Sequence, residues 1–433
     1  MGKTWRLSYL LLYIGLLLAV LTGCRSIARG ITEGILESRQ SDDDDGVCIV
    51  RGPAFEGLAT TLDRQAAAGP DHATKVLMVH GIGRHLPGYS GRLIDNLSQA
   101  LGLDVVQAKY KEFILLPPLP RPDLDLGNQE LGSLRISRYR NKSGTRELLF
   151  YELTWSNITA SKKAALAYDD SQEYAYRRAP LNRIMKSFFN TYVPDPIIYT
   201  GDTRVKILVS VTQSLCWIYS ADWDDLPDGG SQRCPPVFET QAKQVAKSEV
   251  AIITHSLGSR IALDALQAVA QSDFQRRNDA TAVVQILQAK EIPIYMLANQ
   301  LPLMQLGFVA PAVNGEITRY CHPNGDHYAQ RLFKQLRIVA FSDPNDILSY
   351  AIPPHFAEQY ISSLLCPEVV NVTVNVAPIQ TLPVIGAFAN PRAAHNQYED
   401  DARVIGLITH GVGTAQTAPA VQDHCSWLET RNW

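Results

Sequence analysis

The chain has 433 residues, 46% of them hydrophobic, with 40 basic against 43 acidic side chains and a formal net charge of −3. That length suits one large domain with insertions or two modest ones. The mildly acidic balance, with no basic cluster, argues against a nucleic-acid partner. No long apolar stretch follows the first residues, so the body of the chain is expected to be water-soluble.

Residues 1–23 carry Lys3 and Arg6, then a nearly unbroken apolar run from Leu7 to Leu21, and lead into Leu21-Thr22-Gly23-Cys24. The run is short for a bilayer-crossing helix, which takes ~20 residues. This segment resembles the signal peptide and lipobox of bacterial lipoproteins. The resemblance implies removal of residues 1–23, acylation of Cys24 and attachment to a membrane of the cell envelope. Arg25 replaces the aspartate associated with inner-membrane retention in enterobacteria, so the outer membrane is the expected location. Each buried acyl methylene contributes ~0.8 kcal/mol, and several chains on one cysteine would hold firmly. Residues 24–46 end in Ser41-Asp42-Asp43-Asp44-Asp45-Gly46 and read as a solvated, self-repelling tether. The adjacent carboxylates lack the spacing of a calcium loop.

From 47 to 433 the chain reads as one domain. Strands are predicted at Val47–Arg51, Lys75–His80, Glu147–Trp155, Glu249–Thr254, Ile292–Ala298, Leu336–Phe341 and Val369–Val376. Helical patterns fall around Arg92–Leu101, Ser161–Tyr168 and Val404–Thr409. Such alternation predicts an α/β fold, a mostly parallel sheet with helices on both faces, whose ligands bind at the carboxyl ends of the strands. The passage from His80 to Ser256 is longer than the sheet needs and is expected to hold a cap insertion at about 117–240. It opens with the stiff Leu116-Pro117-Pro118-Leu119-Pro120-Arg121-Pro122. Its aromatic residues, among them Tyr168, Tyr174, Tyr176, Phe188, Phe189, Tyr192 and Tyr199, either close a small core or contact a substrate.

Two motifs sit at strand ends. The run from Val250 to Thr254 leads into His255-Ser256-Leu257-Gly258, and Ala262, Leu266 and Val269 then recur at helical spacing. A strand, a tight turn and a helix in this order expose a serine hydroxyl, with small Gly258 letting the helix approach the strand. Upstream, Lys75–Val79 runs into His80-Gly81-Ile82-Gly83. Together these motifs resemble the α/β-hydrolase family, in particular its lipases and esterases, with Thr254 standing where the serine motif has its first glycine.

The resemblance implies hydrolysis of a carboxylic ester, with a lipid or acyl ester expected because the chain would be anchored beside lipid. It makes Ser256 the nucleophile, with backbone N–H groups of Leu257 and Ile82 as the oxyanion hole. The acid and base should follow in the order Ser, Asp, His. Asp346, before Ile347-Leu348, fits the acid better than Asp343, whose neighbour Pro344 suits a turn. His395 precedes the terminal helical pattern, where the family places its base, with His410 and His355 as alternatives and His410 better explained as a helix cap. His80 and His255 are expected to pack and hydrogen-bond beside the site. Neither a metal nor an organic cofactor is implied. Because folds of this kind also serve as non-enzymes, a catalytically silent binding or envelope-assembly module is the alternative.

The chain has 7 cysteines. With Cys24 lipidated, Cys48, Cys216, Cys234, Cys321, Cys366 and Cys425 form an even set, either paired as disulfides in a permissive compartment or left as buried thiols. The sequence does not choose among pairings, and no tight Cys/His spacing suggests zinc.

Overall fold

The computed structural model describes residues 47–106, 110–118, 126–170, 178–235, 238–272, 278–382 and 386–430. The expected leader, Cys24 and the tether lie outside the described residues, as do Pro120, Pro122, Tyr174 and Tyr176. Among the described residues no helix is long and apolar enough to cross a membrane.

Ten strands carry the architecture. They are β1 (Cys48–Arg51), β2 (Ala73–Val79), β3 (Lys111–Leu115), β4 (Ser133–Arg140), β5 (Glu147–Thr154), β6 (Ser248–His255), β7 (Glu291–Leu297), β8 (Gln335–Ser342), β9 (Pro367–Val374) and β10 (Ser426–Leu428). With Ser231–Gln232 beside β3 and Asp104–Val105 beside β4, they make a 12-stranded sheet in the order β10-β1-β9-β8-β7-β6-β2-β5-β4-β3. The central run from β9 to β5 is parallel throughout. Antiparallel pairing begins only outside it, at β1 against β9 and at β4 against β5 and β3.

Both faces of the central strands are apolar, as a sheet covered on two sides requires. In β2, Leu77 and Val79 enter one core while Val76 and Met78 enter the other, and in β6 Val250 and Ile252 oppose Ala251 and Ile253 in the same way. The helices that matter here, in chain order, are α1 (Leu58–Ala68), α2 (Gly91–Leu101), α3 (Asn157–Asp170), α4 (Pro180–Tyr192), α5 (Pro194–Tyr199), α6 (Arg204–Ser220), α7 (Phe238–Lys247), α8 (Gly258–Gln271), α9 (Thr281–Leu287), α10 (Pro391–Asn396) and α11 (Ala402–His410). Helices α6 to α9 contribute to the first core, and α1, α2 and α11 to the second. The molecule is therefore α/β, with a mostly parallel central sheet flanked by helices on both faces.

The stretch 117–240, expected above to be a cap insertion, is not one body. Strands β4 and β5 lie within it and extend the sheet beyond β2. Helix α6 buries Ile207, Val211 and Ile218 completely against the first core, and each such side chain contributes about 1.5–3 kcal/mol to the fold itself. The misreading has a physical cause: Ser133–Arg140 alternates Leu134 and Ile136 with polar and cationic residues because its other face is only partly covered. What remains of the expected insertion is α3 to α5, which follow the carboxyl end of β5.

The six cysteines pair as Cys48–Cys425, Cys216–Cys234 and Cys321–Cys366. The antiparallel strands Ile379–Leu382 and Gly386–Ala389, in register from Ile379 with Ala389 to Leu382 with Gly386, belong to a separate small unit between β9 and α10.

Candidate active site

Strand β6 ends at His255 and α8 starts at Gly258, leaving Ser256 and Leu257 to turn the chain. Ser256 takes a left-handed φ of 56°, a strained conformation for a residue other than glycine. Its N–H is held by Leu297 O at 2.9 Å. A Cβ on Gly258 would lie 2.3 Å from Val79 O and 2.8 Å from His80 O, so the absent side chain is what lets α8 begin against the end of β2. Thr254 needs no such allowance. It pairs within the sheet with Val79 and Met296 and turns its hydroxyl to Ser259 Oγ at 3.2 Å.

His395 comes to this turn from α10. Asn390 caps that helix by accepting from the N–H groups of Arg392 and Ala393, and Pro391 occupies its first turn. His395 Nε2 lies 3.1 Å from Ser256 Oγ and its Nδ1 lies 2.8 Å from Asp346 Oδ2. A carboxylate only accepts, so Nδ1 carries a proton and Nε2 is the nitrogen that faces the serine hydroxyl. Burial alone would raise the Asp346 carboxyl, but the His395 hydrogen bond and charge, with the Leu348 N–H at 2.9 Å on Oδ1, hold it below its ordinary value.

Asp343 is committed elsewhere: Oδ1 accepts from Asn345 N, and Oδ2 from Val376 N at 2.7 Å and Ala377 N at 3.2 Å. The other histidines have local partners. His410 meets Thr409 Oγ1 at the end of α11, and His355 meets Glu358 at the surface. Of the alternatives left by the sequence, only Asp346 and His395 stand in line with Ser256.

The loop after β2 reaches the same point. A Cβ on Gly81 would lie 2.6 Å from Ser256 Cβ and 3.1 Å from its Oγ. His80 holds this loop from beneath: its Nε2 accepts from Trp155 N at 3.1 Å, so its Nδ1 carries hydrogen and donates to Gly81 O at 2.8 Å. Its ring is stacked between His85 and Trp155, at 4.1 and 4.7 Å. Burial, with His85 adding to it, keeps His80 well below the ordinary histidine range and therefore neutral. Among the described residues, the N–H groups of Ile82 and Leu257 donate to no protein acceptor. His255 is likewise neutral, pushed down to about 3 mainly by burial, and its Nε2 donates to His395 O at 2.8 Å.

Sequence reasoning missed several supports. Glu152, buried in β5, accepts from Ser90 N at 2.9 Å and also holds Ser90 Oγ and Gly88 N. Its signal was available: a carboxylate inside the apolar run Phe150 to Trp155 has to find donors if it is buried. Tyr398 Oη accepts from Asp343 N at 2.7 Å and so braces the turn that carries Asp346. Asp195, between Pro194 and Pro196, accepts from Gly83 N at 2.7 Å. Among the described residues no group of three or more His, Cys, Asp or Glu side chains is placed to hold a metal ion.

No family model, curated protein or solved structure matches this chain. An imidazole, oriented by a carboxylate, faces a serine hydroxyl beside N–H donors without partners, which is what activation of that hydroxyl requires.

Proposed function

We propose that the chain is a serine hydrolase of the α/β-hydrolase family that cleaves a carboxylic ester. The substrate class is a lipid or acyl ester, and lipid on Cys24 holds the enzyme to a membrane of the cell envelope, with the outer membrane expected. The observation that carries the reading is the row from Asp346 through His395 to Ser256, at 2.8 and 3.1 Å. In this reading α3 to α5 form a small cap over the strand ends, beside the His80–Gly83 loop.

His395 Nε2 takes the Ser256 proton as Oγ attacks the ester carbonyl. The oxyanion forms beside the N–H groups of Leu257 and Ile82, where fixed donors stabilise developing charge. Collapse breaks the ester bond, and the imidazolium gives its proton to the departing alkoxide. Water, deprotonated by the same imidazole, then attacks the acyl-serine and releases the acid. Ser256 is 0% exposed, so a substrate reaches it only when the groups over it yield.

A fluorophosphonate probe on the purified mature chain tests this. Label and ester turnover should appear in the wild type and vanish in Ser256→Ala, with losses on the order of 10³-fold or more for His395→Ala and less for Asp346→Ala. A wild-type chain that takes no label and turns over no ester returns the protein to the silent binding-module reading. For the anchor, Cys24→Ser should abolish metabolic incorporation of labelled fatty acid. Continued incorporation would sink the lipoprotein reading.

A further inference from the structure

The oxyanion loop is held by the cap helices, and the contact is specific. In a trans peptide the C=O and the following N–H point in opposite directions, so fixing one fixes the other. Two peptide planes flank Ile82. The Gly81–Ile82 plane is pinned through Gly81 O by His80 Nδ1 at 2.8 Å. The Ile82–Gly83 plane is pinned at both ends: His85 Nε2 donates to Ile82 O at 3.2 Å, and Gly83 N donates to Asp195 Oδ2 at 2.7 Å. Gly83 itself has a φ of +102°, and a Cβ there would lie 2.7 Å from the Tyr192 ring at the end of α4. The loop therefore cannot be braced by a side chain of its own at that point.

Asp195 lies in the first turn of α5, is 0% exposed, and sits far along the chain from the loop it holds. Its second oxygen accepts from Thr159 Oγ1 at 2.9 Å, and Lys163 Nζ lies 2.6 Å from the carboxylate. Both partners belong to α3. A buried carboxylate with an ammonium and two further donors is fixed in place, and the loop that it grips runs against Ser256. We propose that Asp195 is a positioning residue for the reaction at Ser256: by fixing the Ile82–Gly83 peptide it anchors Ile82 on the side opposite the His80-pinned plane that bears the Ile82 N–H, and so makes the placement of that N–H beside the developing oxyanion depend on the cap helices.

This rests on the functional reading above, and the experiment separates the two. Purified Asp195→Ala and the nearly isosteric Asp195→Asn are compared with wild type on a p-nitrophenyl ester, with an alkylboronic acid as the probe that becomes tetrahedral on the serine. Asp195→Ala should lower kcat roughly 10- to 100-fold, less than complete loss of an oxyanion donor. KM should stay within about twofold, and boronate affinity should fall in parallel with kcat. Asp195→Asn keeps one acceptor oxygen and should fall between Ala and wild type. If Ala does not fold, Asn decides on the same readouts. A purely structural role would leave the boronate and kcat of the folded Asn variant at wild-type values, and that result overturns the inference. Wild type that accepts neither ester nor boronate overturns the functional reading together with it.

Discussion

At Ser256 three backbones converge with almost no spare volume, and Gly81 has little freedom to change. Gly81→Ala would place a methyl group 2.6 Å from Ser256 Cβ and 2.8 Å from His255 O, so the loop or the nucleophile must move. Overpacking of this kind costs about 1–3 kcal/mol in stability. A displacement of ~1 Å at the reacting atoms can cost 10²-fold in rate, so ester turnover should fall further than the unfolding midpoint suggests. Kinetics and urea unfolding on the same preparation check this, and an Ala variant with wild-type kcat would show that the loop has slack. Ser256, Asp346 and His395 were legible because each sits in a short local pattern of strand, turn or cap. Asp195 and Glu152 were not, because what each does depends on an element far away in the chain, and no local pattern encodes that distance.

Lys75 shows the same limit at the scale of whole elements. In the sequence it looks like the polar start of a strand; in the structure it is fully buried in β2 and its Nζ donates to Ile218 O at 2.7 Å and Ala221 O at 2.9 Å. It caps the carboxyl end of α6, satisfying carbonyls that a helix end leaves open. Burial lowers its pKa from 10.5 to about 8, against the opposing pull of Asp222 and Glu147. Between those two values the unfolded chain binds more protons than the folded one, so this group makes stability rise with pH through that window. Below about 8 the cost of burying the ammonium is fully present. Wild type minus Lys75→Met, compared by urea unfolding at about pH 7 and about pH 9.5, should shift toward wild type by on the order of 1–3 kcal/mol. Parallel behaviour at both values would mean that the amine titrates as it does in water. The parallel strands were readable because both of their faces are apolar, whereas β4, with one face partly covered, lacks that signature.

Over the whole molecule, the cross-links differ greatly in reach. Cys48–Cys425 spans 377 positions and Cys216–Cys234 only 18. In chain-entropy terms the first restrains the unfolded chain by roughly 6 kcal/mol and the second by roughly 3. The double variant Cys48→Ser, Cys425→Ser should therefore lose more stability than Cys216→Ser, Cys234→Ser, as thermal unfolding of the two would show. The reverse order would mean that strain or residual structure, not loop length, governs these bonds. Composition set the cysteine number, and reading Cys24 as lipidated left an even set, but the Cys48–Cys425 pairing depends on which strands become neighbours, and that was visible only in the sheet order.

That sheet order also imposes a schedule on biogenesis. Among the described residues, strand β1 is the earliest of the sheet to be made, yet its neighbours there are β9 and β10, the last two. At ~5–20 residues per second, a ribosome needs roughly 20–75 s to supply Cys425 after Cys48. Cys216, Cys234, Cys321 and Cys366 all arrive in that interval, so oxidation in order of appearance would trap Cys48 on the wrong partner. Production of the native chain thus calls for a catalyst of thiol–disulfide exchange that can undo early bonds, and yield in a host without one should be limited by isomerisation, not by synthesis.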